Sequence, residues 1–108
     1  MKTKTPSVGF QICDNKGFWF TFENGWTVSV QFGGGNYCAN YDFQIGEERK
    51  TRGMESSNAE VAVFSPNGHM QRFGDDEDAD TVAGYYTPAK VLALLNEVAA
   101  KPKADGTD

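Results

Sequence analysis

The chain has 108 residues, 39% of them hydrophobic and 23% charged, with eight Phe, four Tyr and two Trp; this is enough chain for one domain and too aromatic for a disordered one. Two cysteines exclude a disulfide scaffold, and no apolar run approaches the roughly 18 residues that a membrane helix needs. Of fifteen acids, five fall in one stretch (Asp75, Asp76, Glu77, Asp78 and Asp80), and the other ten balance the ten bases, so no clustered cationic surface is available for a nucleic-acid backbone.

The start, Met1-Lys2-Thr3-Lys4-Thr5-Pro6, has no apolar stretch behind its lysines. It does not read as a signal peptide, and a cytoplasmic location is expected. Val8, Phe10 and Ile12 alternate with Gly9, Gln11 and Cys13, which predicts a strand, and Asp14-Asn15-Lys16-Gly17 predicts a turn. Phe18–Phe22 and Trp26–Phe32 then form a hairpin. A two-residue Asn24-Gly25 loop would oppose Phe22 to Thr27 and mix apolar with polar on each face. A three-residue loop, Glu23-Asn24-Gly25, opposes Phe22 to Trp26, Phe20 to Val28 and Phe18 to Val30. The hydrophobic pattern selects the latter, with Gly25 in the left-handed position.

Gly33-Gly34-Gly35 predicts a bend, and part of Asn36–Phe43 a short strand. Gln44–Asn58 is polar and reads as a surface loop. Ala59–Phe64, the loop Pro66-Asn67-Gly68 and His69–Phe73 predict a second hairpin, with Phe64 facing Met70 and Val61 facing Phe73. Thr87 is a good N-cap and Pro88 a good first helical residue. Val91, Leu94, Leu95 and Val98 follow at helical spacing, widened by Leu92 and Ala99, and the helix should end before Pro102. The expected fold is α+β: an antiparallel sheet of about 4–6 strands, built from two hairpins, with one C-terminal helix packed on it. One globular domain over residues 1–100 and a disordered tail over 101–108 follow.

Several residues invite chemistry. The glycine run has bare N–H groups suited to an anion, but no Gly-Lys-Ser/Thr follows it and no helix opens after it, so a structural bend is the better reading. Cys13 and Cys38 lack the further ligands of a metal site, since His69 is the only histidine. A Cys38/His69 nucleophile pair has no local signature. Asp76, Asp78 and Asp80 open like a calcium loop, but Thr81 stands where Gly is needed and Thr87 where Glu is needed. No catalytic residue, metal or cofactor is therefore expected. A concentrated negative charge steers association with a basic surface on another protein. The aromatics Trp19, Tyr85 and Tyr86, with Tyr37 and Tyr41, sit where contact residues are often found, or else close the edges of a small core. Trp19 should lie on the face opposite Phe18, Phe20 and Phe22.

The segment Phe22-Glu23-Asn24-Gly25-Trp26-Thr27-Val28-Ser29-Val30-Gln31-Phe32-Gly33-Gly34-Gly35-Asn36-Tyr37-Cys38 resembles a pattern in small uncharacterised proteins of phages and other mobile elements. There too an Asn-Gly turn leads into a Thr-Val-Ser-Val-Gln-Phe strand and a Gly-Asn-Tyr-Cys sequence. The resemblance implies an accessory protein that inhibits or modulates host machinery, defence included, from within the host cytoplasm. The expected function is a non-enzymatic interaction module binding a basic protein partner through Asp75, Asp76, Glu77, Asp78, Asp80, Tyr85, Tyr86 and Trp19, with no direct nucleic-acid or membrane contact. The alternative is a small-ligand binding domain built on the exposed aromatics. An edge strand, Val8–Ile12 or His69–Phe73, leaves a homodimer open.

Overall fold

A computed structural model describes residues 7–13, 16–41, 55–71 and 81–103. It has six strands, β1 (Gly9–Cys13), β2 (Gly17–Thr21), β3 (Thr27–Gln31), β4 (Ala59–Phe64), β5 (Met70–Gln71) and β6 (Val82–Tyr86), followed by the helix α1 (Pro88–Ala99). All pairings are antiparallel, in the order β1-β2-β3-β4, with β5 and β6 both on the far edge of β4. The α+β expectation holds. Among the described residues no helix is long and apolar enough to cross a membrane.

The β2–β3 register is the one the hydrophobic pattern selects: Phe18 opposes Val30, Phe20 opposes Val28, and Thr21 opposes Thr27. The three-residue loop closes through Phe22 N–H to Trp26 O (2.9 Å) and Gly25 N–H to Phe22 O (2.9 Å), with Gly25 at φ 91°. The second hairpin repeats these bonds, from Ser65 N–H to His69 O and from Gly68 N–H to Ser65 O, and Phe64 opposes Met70 as expected.

Its return strand differs from expectation. Only Met70–Gln71 is described as β5, and the same edge of β4 is then continued by β6. Gln71 pairs with Val63 and Val82 with Ala62, on adjacent rungs of β4. Val61 is paired with Val30 on one side and Ala83 on the other, which replaces the expected Val61–Phe73 pairing. The reason is compositional. Gly74-Asp75-Asp76-Glu77-Asp78 is poor strand material, whereas the β-branched and aromatic Val82–Tyr86 run can take over the edge.

α1 packs on β3, β4 and β6. The core comprises Val28, Val30, Ala59, Val61, Val63, Leu94 and Val98, with Phe18, Phe22, Trp26, Phe32, Tyr86, Val91 and Leu95 packed around it. Burying each large apolar side chain contributes about 1.5–3 kcal/mol. Leu92, expected to widen the helix stripe, is mostly exposed. Thr87 caps the start as expected, its Oγ1 accepting from Lys90 N–H, and the helix stops before Pro102.

The far end of α1 is closed from outside the helix. No basic residue lies in its last turn, and the C-cap is Ala100 in right-handed conformation. The carboxamide of Asn24, in the β2–β3 turn, donates instead to Val98 O (2.9 Å) and Lys101 O (3.0 Å), while its Oδ1 accepts from Trp26 N–H (3.0 Å). Lys101, counted in the expected tail, is thereby held, with its ammonium 4.7 Å from the Trp26 ring centre. Residues 104–108 of that tail lie outside the described residues.

Asn24→Asp should therefore be the worst isosteric change in the turn. It removes the donors to two helix-end carbonyls and sets a negative charge at the negative end of the helix dipole. A loss of about 2–3 kcal/mol is expected in urea unfolding, against a few tenths for Glu23→Gln at the exposed neighbouring position.

Candidate surface for protein contact

The segment after β3 is built from inward polar residues. Asn36, Cys38 and Asn40 are buried and alternate with exposed Tyr37, Ala39 and Tyr41. That alternation mimics a strand, but residues 36–41 form turns, which corrects the expected short strand there; Asp42 and Phe43 lie outside the described residues. The inward side chains bond to backbone and acid rather than packing as apolar groups. Asn36 Oδ1 accepts from Gly33 N–H (3.0 Å) and its amide donates to Glu60 Oε1 (3.0 Å). Asn40 donates to Phe32 O (2.8 Å) and Glu55 O (3.0 Å). The Cys38 thiol donates to Gly33 O (3.7 Å), and Ala39 N–H to Asn58 Oδ1 (2.6 Å). Glu60 Oε2 accepts from Tyr37 N–H (3.2 Å).

This scaffold fixes the rings that point outward. Tyr37 and Tyr41 stack nearly parallel, 6° apart with centroids at 5.7 Å. Tyr37 O accepts from Tyr85 N–H (2.9 Å), which ties the loop to β6. Gly84 lets them approach: a Cβ there would meet Tyr37 Cβ at 2.6 Å and Tyr37 O at 2.9 Å. Tyr85 has φ 58°, an uncommon conformation for a residue with a side chain, where the β4–β6 register shifts between Ala59 and Val61. Tyr37, Tyr41 and Tyr85 are 52%, 46% and 56% exposed.

The residues proposed from sequence divide. Tyr85 belongs to this exposed set. Tyr86 faces the other way, packed at the edge of the core with Lys90 Nζ 5.5 Å from its ring centre. Trp19 lies on the face opposite Phe18 and Phe20, as expected, in the row Trp19–Ser29–Ala62–Val82, and α1 packs on the other face. Trp19 is half-buried, stacked on Phe64 at 5.2 Å, and its buried indole N–H has no acceptor among the described residues. Three strand spacings separate it from Val82, about 14 Å, so it is not part of the tyrosine set. Asp75, Asp76, Glu77, Asp78 and Asp80 lie outside the described residues. Their chain anchors are Gln71 and Val82, at the end of β6 away from Tyr85.

Other chemistry is not assembled. Gly33 and Gly35 N–H groups are taken by Asn36 Oδ1 and Tyr41 O, so the glycine run is a bend with those donors spent. Cys38 is anchored beside Asn58 and Glu60, at the start of β4, whereas His69 bonds to Ser65 beyond its end. The five residues between those ends span about 17 Å, so Cys38 and His69 do not form a pair. No cluster of three or more His, Cys, Asp or Glu among the described residues could hold a metal ion.

Tyr37 and Tyr85 become neighbours only through β6, a strand the sequence reading did not anticipate. The signal available was the short Val82–Tyr86 run between the acids and the Thr87 cap. Comparison with family models, curated proteins and solved structures gives no match.

Two substitutions check this description. Gly84→Ala should lower stability by about 1–3 kcal/mol through its clash with Tyr37 backbone, read as a lower melting temperature. Trp19→Phe keeps a ring on Phe64 and deletes the unpaired donor, so its melting temperature should match or exceed wild type, whereas Trp19→Ala should cost about 3 kcal/mol.

Proposed function

We propose that the chain is a non-enzymatic protein-interaction module that binds a partner with a basic surface. The observation that carries this reading is the exposed set Tyr37, Tyr41 and Tyr85: the first two sit on a loop whose inward polar groups are bonded to backbone and to Glu60, and Tyr85 on β6 is bonded to that loop through Tyr37 O. Tyrosines pinned in this way bind with little further loss of side-chain freedom, which favours them as anchors. In sequence the acidic run precedes Val82, the first residue of β6. In this reading the acids speed encounter and the tyrosines slow dissociation. The phage resemblance adds a target class, a host defence or nucleic-acid-handling protein, and a site of action in the host cytoplasm.

A second reading, small-ligand binding, draws on an apolar cleft of about 300 Å³ between α1 and the sheet, lined by Val30, Phe32, Tyr86, Val91 and Leu95 among others. This volume is at the lower end for ligand sites. The cleft contains neither Trp19 nor the exposed tyrosines.

Capture from a bacterial lysate separates the two. A specific partner retained by wild type should be lost with Tyr37→Ser/Tyr85→Ser. With Asp76, Asp78 and Asp80 all changed to Lys, it should be weakened at least tenfold and lose its salt dependence. A partner indifferent to both variants counts against the proposal. A rise in melting temperature with aliphatic ligands, abolished by Leu95→Trp, supports the cleft instead.

A further inference from the structure

The two outer edges of the sheet are built in opposite ways. On the β5/β6 side, β5 has only two residues, β6 is interrupted by the left-handed Tyr85, and the Tyr85 N–H is already bonded to Tyr37 O. Short strands, bulges and covering loops are the usual means of stopping an edge from pairing. Among the described residues β1 shows none of them. It is a five-residue strand, Gly-Phe-Gln-Ile-Cys, with no proline and no charge, and it pairs only with β2 among the described residues. Its apolar side chains are also uncovered. Phe10 and Ile12 lie on the α1 face of the sheet, but α1 covers β3, β4 and β6 and stops short of them, leaving them 78% and 75% exposed.

We propose that β1 is a self-association edge, and that its occupant is β1 of a second copy of this chain, paired antiparallel about a two-fold axis at Gln11. Three features single out a second copy.

The first is backbone direction. Cys13 O accepts from Lys16 N–H on the β2 side. Carbonyl and amide groups alternate sides along a strand, so those of Phe10 and Ile12 point to the open edge. Centred on Gln11, Phe10 of one copy faces Ile12 of the other and exchanges both N–H···O bonds with it, and the two-fold repeats the exchange.

The second is side-chain continuity. Within one copy, Val28, Phe20 and Phe10 form one row on the α1 face, and Ile12, Phe18 and Val30 the next, with Phe10 and Phe20 rings 4.7 Å apart. Pairing joins the first row of each copy to the second row of the other, without a polar break.

The third is charge. The molecule carries −5 overall, but Val8–Cys13 contains no Asp, Glu, Lys, Arg or His, so two copies can approach there without opposing like charges. A partner selected for basicity would find nothing to pair with on this strand. The surface is distinct from the tyrosine set, and the proposal does not rest on it.

One short strand per copy buries less than the roughly 800 Å² per partner of a standard interface, so the dimer is weak, with a dissociation constant on the order of 100 µM. Sedimentation velocity on the full chain should show a monomer at about 5 µM shifting towards a dimer at about 1 mM. Gln11 is exposed and opposes itself in the dimer. Gln11→Lys and Gln11→Glu should each weaken association about fivefold, and an equimolar mixture of the two should recover it as a heterodimer. Ile12→Pro, which removes an outward N–H without touching the β1–β2 ladder, should abolish it. Melting curves matching wild type establish that the Gln11 variants are folded. A wild type that stays monomeric at about 1 mM, or a dimer unmoved by either Gln11 variant, would overturn the proposal. So would a mixture no stronger than the single variants.

Discussion

The carboxamide of Asn24 joins the two halves of this fold. One end of it shapes the β2–β3 turn by accepting from Trp26 N–H, and the other closes the last turn of α1 through Val98 O and Lys101 O. Helix ends leave carbonyls that must find donors, and here neither a C-terminal glycine nor a basic side chain in the last turn supplies them. The Ala100 and Lys101 N–H groups reach Asn96 O and Val98 O, and the hairpin adds the Asn24 donor to Val98 O and Lys101 O. Because Asn24 is itself buried, the helix can sit only where those bonds form. That position sets Leu94 and Val98 over Val28, Val30 and Val61, and determines which part of the sheet is covered.

The coverage is incomplete, and much of the surface chemistry follows from this. α1 packs on β3, β4 and β6, and among the described residues no helix lies over Phe10, Ile12, Phe18 and Phe20 at the β1–β2 end of the same face. The Phe10, Phe20 and Phe22 rings answer by packing along the sheet, tilted at 4.7 Å and stacked at 5.2 Å. On the reverse face Trp19 lies on Phe64, and Thr21 and Thr27 share a hydroxyl–hydroxyl bond of 2.8 Å. Among the described residues that side carries short polar residues and one large ring, whose indole N–H finds no acceptor there.

At the other edge the same economy yields a rigid surface. The buried asparagines 36 and 40 satisfy the loop backbone, Glu60 anchors Tyr37, and Gly84 gives Tyr37 room beside β6. The strained Tyr85 backbone is held by its bond to Tyr37. An uncommon backbone conformation at an exposed aromatic is the kind of local cost that folds keep at functional positions.

The local patterns were legible from the residues alone. Phe18-Trp19-Phe20-Thr21-Phe22 against Trp26-Thr27-Val28-Ser29-Val30 allows only one register that keeps apolar with apolar, and Gly25 and Gly68 mark where the chain can turn left-handed. Thr87-Pro88 and the 91, 94, 95, 98 spacing determined the helix. These are short-range constraints, set by side-chain period and backbone sterics. The tertiary structure decided what depends on residues far apart in the chain: that Asn24 caps a helix some seventy residues away, that β6 rather than Phe73 pairs with Val61, and that Asn36–Tyr41 folds as turns despite its alternation. In each case the deciding partner, a helix-end carbonyl, a β4 edge or Glu60, is brought close only by the assembled sheet, and no local pattern encodes its arrival.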